Sequence, residues 1–128
     1  MPGKRHYTLT FTAENDLIEA RRWSNNRWGN DLTQQYFQEL HETANNIALN
    51  QESVAERDDL TGESGLCIHP VREHYLIYLP VTPKHIIIVS VQRQTRDIPA
   101  LLKRSAFILN REIGAIKLAI ENGQISIR

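Results

Sequence analysis

The sequence predicts an α+β fold. An N-terminal strand and an antiparallel helical hairpin come first, then a three-strand antiparallel meander (β-α-α-β-β-β), then an added C-terminal helix. Three observations predict it. A Thr- and aromatic-rich alternating segment opens the chain and two stretches of helical period follow it. Three apolar runs between turn signals come next, and apolar residues at helical spacing resume after Asp97.

Residues 6–12, "HYTLTFT", alternate and are rich in Thr and aromatics, as a strand should be. Thr12 is the expected cap of the first helix, with Glu14 and Asp16 in the first turn, where the helix dipole favours acids. Leu17, Ala20 or Arg21, and Trp28 share roughly one face, and Gly29 supplies the stop. Asn30 or Asp31 opens a second helix. Its Leu32, Tyr36, Leu40, Ala44 and Ile47 recur every three to four residues as an apolar stripe. The short "WGND" junction implies that the two helices run antiparallel. Trp23, Trp28, Tyr36 and Phe37 lie at packing spacing, which assigns them to the hairpin core rather than to a stacking platform for bases.

Residues 50–65 are polar with two glycines and read as an exposed connection. Strands are expected over 66–71, 74–81 and 86–92, joined by "VREH" and by "TPKH", where Pro83 suits the second position of a type I turn. Pro80 cannot donate to a ladder, so it marks an edge or a bulge. "HIIIVSV" is apolar on both alternating faces, so the sheet needs a cover on each side. The hairpin supplies one cover and the C-terminal segment is the candidate for the other. Asp97 is the expected N-cap there, with Pro99 in the first turn and Gly123 as the stop. Ser105 and Gly114 are weak points, so one helix or two shorter ones fit the pattern. Leu101, Leu102, Phe107, Ile108, Ile113, Ile116 and Ile120 form a band broad enough to be buried or to await a partner. The terminal "QISIR" alternates and suits a short strand.

At 128 residues and 41% hydrophobic, the chain is sized for one domain with a real core. Residues 1–103 are expected to form the main unit, with 104–128 a helical extension packed on it or projecting from it. No apolar run approaches the ~20 residues that span a bilayer, and no signal-peptide core follows the basic N-terminus. The single cysteine, Cys67, cannot form an internal disulfide, which fits a reducing cytoplasm. The net charge is zero, from 15 basic and 15 acidic residues, but it is unevenly placed. Residues 1–83 hold 7 Lys/Arg and 12 Asp/Glu, a net of −5; residues 84–128 hold 8 and 3, a net of +5. Either the C-terminal part presents a basic region to an acidic partner, or the two halves neutralise each other on one surface.

The chemistry-bearing residues are sparse. His69, His74 and His85 fall on different strands or turns, and nothing in their spacing imposes a catalytic geometry. One Cys and scattered His lack the paired spacing of a zinc site, so no metal or cofactor is expected. The stretch "VQRQTRDIPALL" places Arg93 and Arg96 between a strand end and a helix cap. Arginine's planar fork of donors suits an acidic or phosphate-bearing partner. Arg72, Arg93, Arg96 and Lys103 are therefore the candidate partner-binding residues, and Asp97 the candidate cap.

Four segments in this order, "YTLTFTAENDLIEARRW", "RWGNDLTQQYFQEL", "GLCIHPVREHYLIYLPV" and "IIIVSVQRQTRDIPALL", resemble the ParE/RelE superfamily of toxins from type II toxin–antitoxin modules. The resemblance covers about residues 6–102 and is closer to the ParE branch in its "RDIPALL" ending; beyond Lys103 the chain outruns the usual ParE pattern. It implies a non-enzymatic poison of DNA gyrase, held inactive by a cognate antitoxin and reaching operator DNA only through that complex. The RelE branch implies instead a ribosome-dependent mRNA endonuclease. The positions that carry its Arg, Arg and Tyr fall here on Tyr75, Gln94 and Ala100, and an alanine neither donates a proton nor balances a phosphate charge. Arg93 stands where many ParE-like sequences have His, and Cys67 where they often have Arg. A third implied possibility is an inactive or regulatory member that only binds antitoxin.

Overall fold

The computed structural model describes residues 5–53, 61 and 64–125. The elements are β1 (Tyr7–Leu9), α1 (Phe11–Trp28), α2 (Asn30–Leu49), a 3-10 turn (Gln51–Ser53), β2 (Cys67–Val71), β3 (His74–Thr82), β4 (His85–Arg93) and α3 (Ile98–Glu121). The sheet order is β1-β4-β3-β2. The last three strands form the antiparallel meander, and β1 lies parallel against β4 with Thr8 opposite Ile87.

The central place of β4 explains why its sequence is apolar on both faces. Ile86, Ile88 and Val91 join Leu76, Tyr78, Tyr36, Leu40 and Ile47 on the hairpin side. Ile87 and Val89 join Ile68, Ile77, Leu102, Leu109 and Ile113 under α3. Strict alternation would put Val91 with Val89. A bulge prevents this: Ile77 faces Ser90 and Tyr78 faces Ile88, so Val89 has no partner in the register and the parity shifts by one. The backbone groups freed at the bulge are met by the start of α1. The Thr10 hydroxyl donates to the Val89 carbonyl at 2.7 Å, while the Asp16 carboxylate accepts from Ser90 Oγ at 2.5 Å and from the Val91 N–H at 3.0 Å. Pro80 lies beyond the end of β2 and beside a second irregularity at Val81. Its missing N–H therefore breaks no regular ladder.

Several boundaries differ from the sequence expectation. The first strand ends at Leu9, and Thr10, not Thr12, caps α1, accepting the Ala13 N–H at 2.9 Å. Thr12 lies inside the helix, and its N–H and hydroxyl donate to the two oxygens of Glu112 at 2.6 and 2.8 Å. That carboxylate comes from α3 and sits at the positive end of α1. The two helices meet at Gly29, whose φ of +84° suits glycine. At this corner Ser24 donates to Thr33 Oγ1 at 2.7 Å, and Thr33 donates to the Gly29 carbonyl at 2.8 Å. Leu32 points out of the apolar stripe and is exposed.

α3 is one unbroken helix through both Ser105 and Gly114, so residues 98–103 and 104–121 belong to one element. Only part of its broad apolar band is covered. Ile98, Leu102, Leu109 and Ile113 are buried against the second face of the sheet, whereas Phe107 and Ile108 are exposed. The polar connection expected over 50–65 lies largely outside the described residues, as does the end of the "QISIR" strand.

Candidate functional site

At one end of the sheet, the ends of β3 and β4 meet the middle of α1. Glu19, Ala20 and Trp23 follow Asp16 by three, four and seven residues, so the four share one face of α1. That face opposes Val91, Gln92 and Arg93 of β4, His74 of β3 and Arg96 of the following loop. Together they line a cleft of about 260 Å³.

The loop is held by its own glutamine. Gln94 Nε2 donates to the carbonyls of Arg72 and His74 at 2.6 and 3.0 Å, and the Gln94 N–H bonds the Glu73 carbonyl at 2.9 Å. The Arg96 N–H closes the turn on the Arg93 carbonyl at 3.0 Å, which brings both arginines to the same cleft. Asp97 then accepts the Ala100 N–H at 3.2 Å and starts α3.

An aromatic ladder fixes the inner wall. The Arg93 guanidinium carbon lies 5.0 Å from the Trp23 ring centre, and Arg27 lies at 5.4 Å. Trp23 packs edge-on against Trp28 at 5.2 Å and His74 at 5.3 Å. His74, 2% exposed, bonds the Tyr36 hydroxyl at 2.5 Å, and that hydroxyl donates to the Val71 carbonyl at 3.0 Å. A carbonyl only accepts, so the single Tyr36 proton is committed to Val71. His74 Nδ1–H must then be the donor to Tyr36. Burial, with the nearby Arg93 charge, holds the His74 pKa down at about 4 against the opposing pull of Glu73, so the ring is neutral at physiological pH. Burial raises the Tyr36 pKa and that of Asp16, the latter despite the bonds from Ser90 and Val91.

Two of the four candidate partner-binding residues, Arg93 and Arg96, line this cleft. Arg72 occupies the turn between β2 and β3 with a left-handed φ of +52°, and its Nε meets Glu39 Oε2 at 2.6 Å. Lys103 is exposed on α3 and is not among the residues that line the cleft. The arginine edge also faces two carboxylates, Asp16 and Glu19, so the cleft is mixed in charge rather than basic throughout. Trp23, assigned by spacing to the hairpin core, is half-buried and forms the cleft wall. Its spacing from Asp16 and Glu19 was the available signal.

The histidines are separate. His74 opens β3 opposite Arg93, while His85 opens β4 at the far end of the sheet, its Nε2 bonded to Thr8 Oγ1 at 2.8 Å. His69, on β2, pairs with Leu76 of β3, and burial lowers its pKa. Tyr75 packs under α3, Gln94 is committed to two carbonyls, and Ala100 offers only a methyl group. Among the described residues, no three His, Cys, Asp or Glu side chains group as metal ligands. A larger depression of about 550 Å³ lies at the opposite end of the sheet, between residues 49–52 and 80–83. Among the described residues that line it, Glu52 alone is charged.

Among curated proteins, none matches this sequence. Among solved structures, the fold is similar to one described as a chromosomal ParDE TA system from P. aeruginosa. That match has a TM-score of 0.56 at 17% identity and covers 68% of this chain and 92% of that one. The family model of the ParE toxin of the type II toxin–antitoxin system parDE matches residues 7–98, from β1 to the first residue of α3. The chain belongs to the ParE toxin family of type II toxin–antitoxin systems.

Proposed function

We propose that this toxin acts by binding, with DNA gyrase as its target and a cognate antitoxin as its inhibitor. Family membership supports the toxin–antitoxin setting. The observation that carries the binding reading is the Arg93–Arg96 edge, held over Trp23 by a loop whose Gln94 amide is already committed to backbone carbonyls. Such a loop presents two cations at a shaped cleft, which suits recognition of an acidic protein surface. His74 is not available there as the general acid or base that RNA cleavage needs, because it is buried, neutral and bonded to Tyr36. The antitoxin is an acidic or partly disordered segment that folds onto the same toxin.

Supercoiling by purified gyrase with added protein is the direct test. Inhibition that is relieved by Arg93→Glu with Arg96→Glu supports the reading. Unchanged supercoiling at a large excess of protein removes the gyrase claim. New mRNA ends on translating ribosomes, lost on Arg93→Ala, would overturn the binding mechanism altogether.

A further inference from the structure

Beyond residue 98 the chain leaves the matched family region, yet α3 continues to Glu121 with two apolar stripes. One stripe, Leu102, Leu109 and Ile113, is buried on the sheet. The other has no cover within the described chain: Phe107 is 74% exposed, and Ile108 and Leu118 are each 57% exposed. Arg104, Phe107, Arg111, Gly114, Leu118 and Glu121 follow one another at alternating steps of three and four, which is the a/d spacing of a coiled-coil seam.

We propose that this seam is a homodimer interface, in which α3 of one copy packs antiparallel on α3 of a second. The seam is complementary to itself in that direction alone. When one helix is turned about a two-fold axis near residues 112–113, Phe107 meets Leu118 of the other copy, Arg104 meets Glu121 and Arg111 meets Gly114. The apolar pair and the ion pair each occur twice, as an isologous interface requires. A parallel pairing would set Arg104 on Arg104 and Glu121 on Glu121.

Two further features point the same way. Gly114 sits in the middle of a helix, where glycine is unfavourable, and a Cβ built there would meet nothing within 4 Å. Nothing among the described residues of one copy accounts for it, whereas a second helix lying over it finds room for the Arg111 stem. Arg111 also lies with its guanidinium carbon 5.8 Å from its own Phe107 ring, which holds it along the seam. In addition, Glu121 in the last turn is reversed from what its own helix dipole favours. In the antiparallel pair it lies toward the opposite end of the other helix, where its sign is favoured. The patch is small, so the dimer is weak and forms in the micromolar range or above.

Sedimentation equilibrium of the full chain across micromolar to submillimolar concentration tests this. The wild-type chain is expected to dimerise, and Leu118→Glu to remain monomeric. Arg104→Glu and Glu121→Arg should each raise the dimer Kd by about tenfold, because each creates two like-charge contacts. The double variant should return to within about threefold of wild type. Within one helix these residues stand roughly 25 Å apart at 1.5 Å per residue, so rescue can arise only between copies. All three side chains are exposed, and thermal unfolding of each variant confirms that the fold is retained. A wild-type chain that stays monomeric throughout overturns the proposal, including the case in which this face binds an acidic helix of another protein. A double variant as weak as either single one overturns it too.

Discussion

Acidification from pH 7.5 to 5 should destabilise this fold by about 2 kcal/mol through one side chain, His74. Its ring is 2% exposed, and its pKa is held at about 4 by burial and by Arg93, against an ordinary value of 6.5. Between those two values the unfolded chain binds a proton that the native state refuses, so stability falls as the pH falls. The full effect of the shift is about 3 kcal/mol, present above pH 6.5 and lost by pH 4; at pH 5 about two-thirds of it is gone. His69, also held low by burial, adds a slope of the same sign. Asp16 has a raised pKa and opposes it in the carboxylate range. The measurement is therefore a difference. His74→Asn keeps an amide near the Nδ1 position for Tyr36 but cannot titrate. Urea unfolding at several pH values should show a wild-type slope that exceeds the variant's by about 2 kcal/mol over this interval. Equal slopes, or an imidazole NMR titration near 6.5 in the folded protein, would refute the argument.

Glu112→Ala should cost about 1–3 kcal/mol in urea unfolding, because it strips two bonds and a negative charge from the start of α1. Glu112→Gln, which keeps an acceptor, should cost less. Leu109→Ala, at 2% exposure between α3 and the sheet, should cost about 2–5 kcal/mol, whereas Phe107→Ala in dilute solution should fall within about 0.5 kcal/mol of wild type. Equal costs would show that α3 is rotated from the orientation described. Truncation after Lys103 should bare Ile68, Ile77, Ile87 and Val89 and drive aggregation, read by light scattering. A soluble, cooperatively folded truncation would refute the covering role of α3.

Much of the fold was legible because periodicity is a local property. Tyr36, Leu40, Ala44 and Ile47 mark the buried stripe of α2 by spacing alone, and "HIIIVSV" announces a strand covered on both sides. The start of α1 was misread because Thr10 and Thr12 are chemically equivalent caps. The choice fell to Thr10 because its hydroxyl also reaches Val89 across the sheet, 79 positions along the chain. The reach of the β4 bulge was hidden for the same reason. No local pattern says that Asp16 will satisfy Ser90 and Val91.

The candidate site divides along the same line. Arg93 and Arg96 were readable as charges between a strand and a cap, and Asp97 as the cap. Whether four cations made one surface depended on distances that only packing sets. Arg72 is drawn to Glu39 of α2 and Lys103 lies on α3, while Trp23, packed on Trp28 and His74, also supports Arg93. The sequence by itself therefore determined the order of elements, the need for two covers and the family. The tertiary structure alone decided which α3 stripe is buried, which proton His74 holds and which charges meet. Those outcomes depend on contacts between residues far apart in the chain, and periodicity carries no information about such contacts.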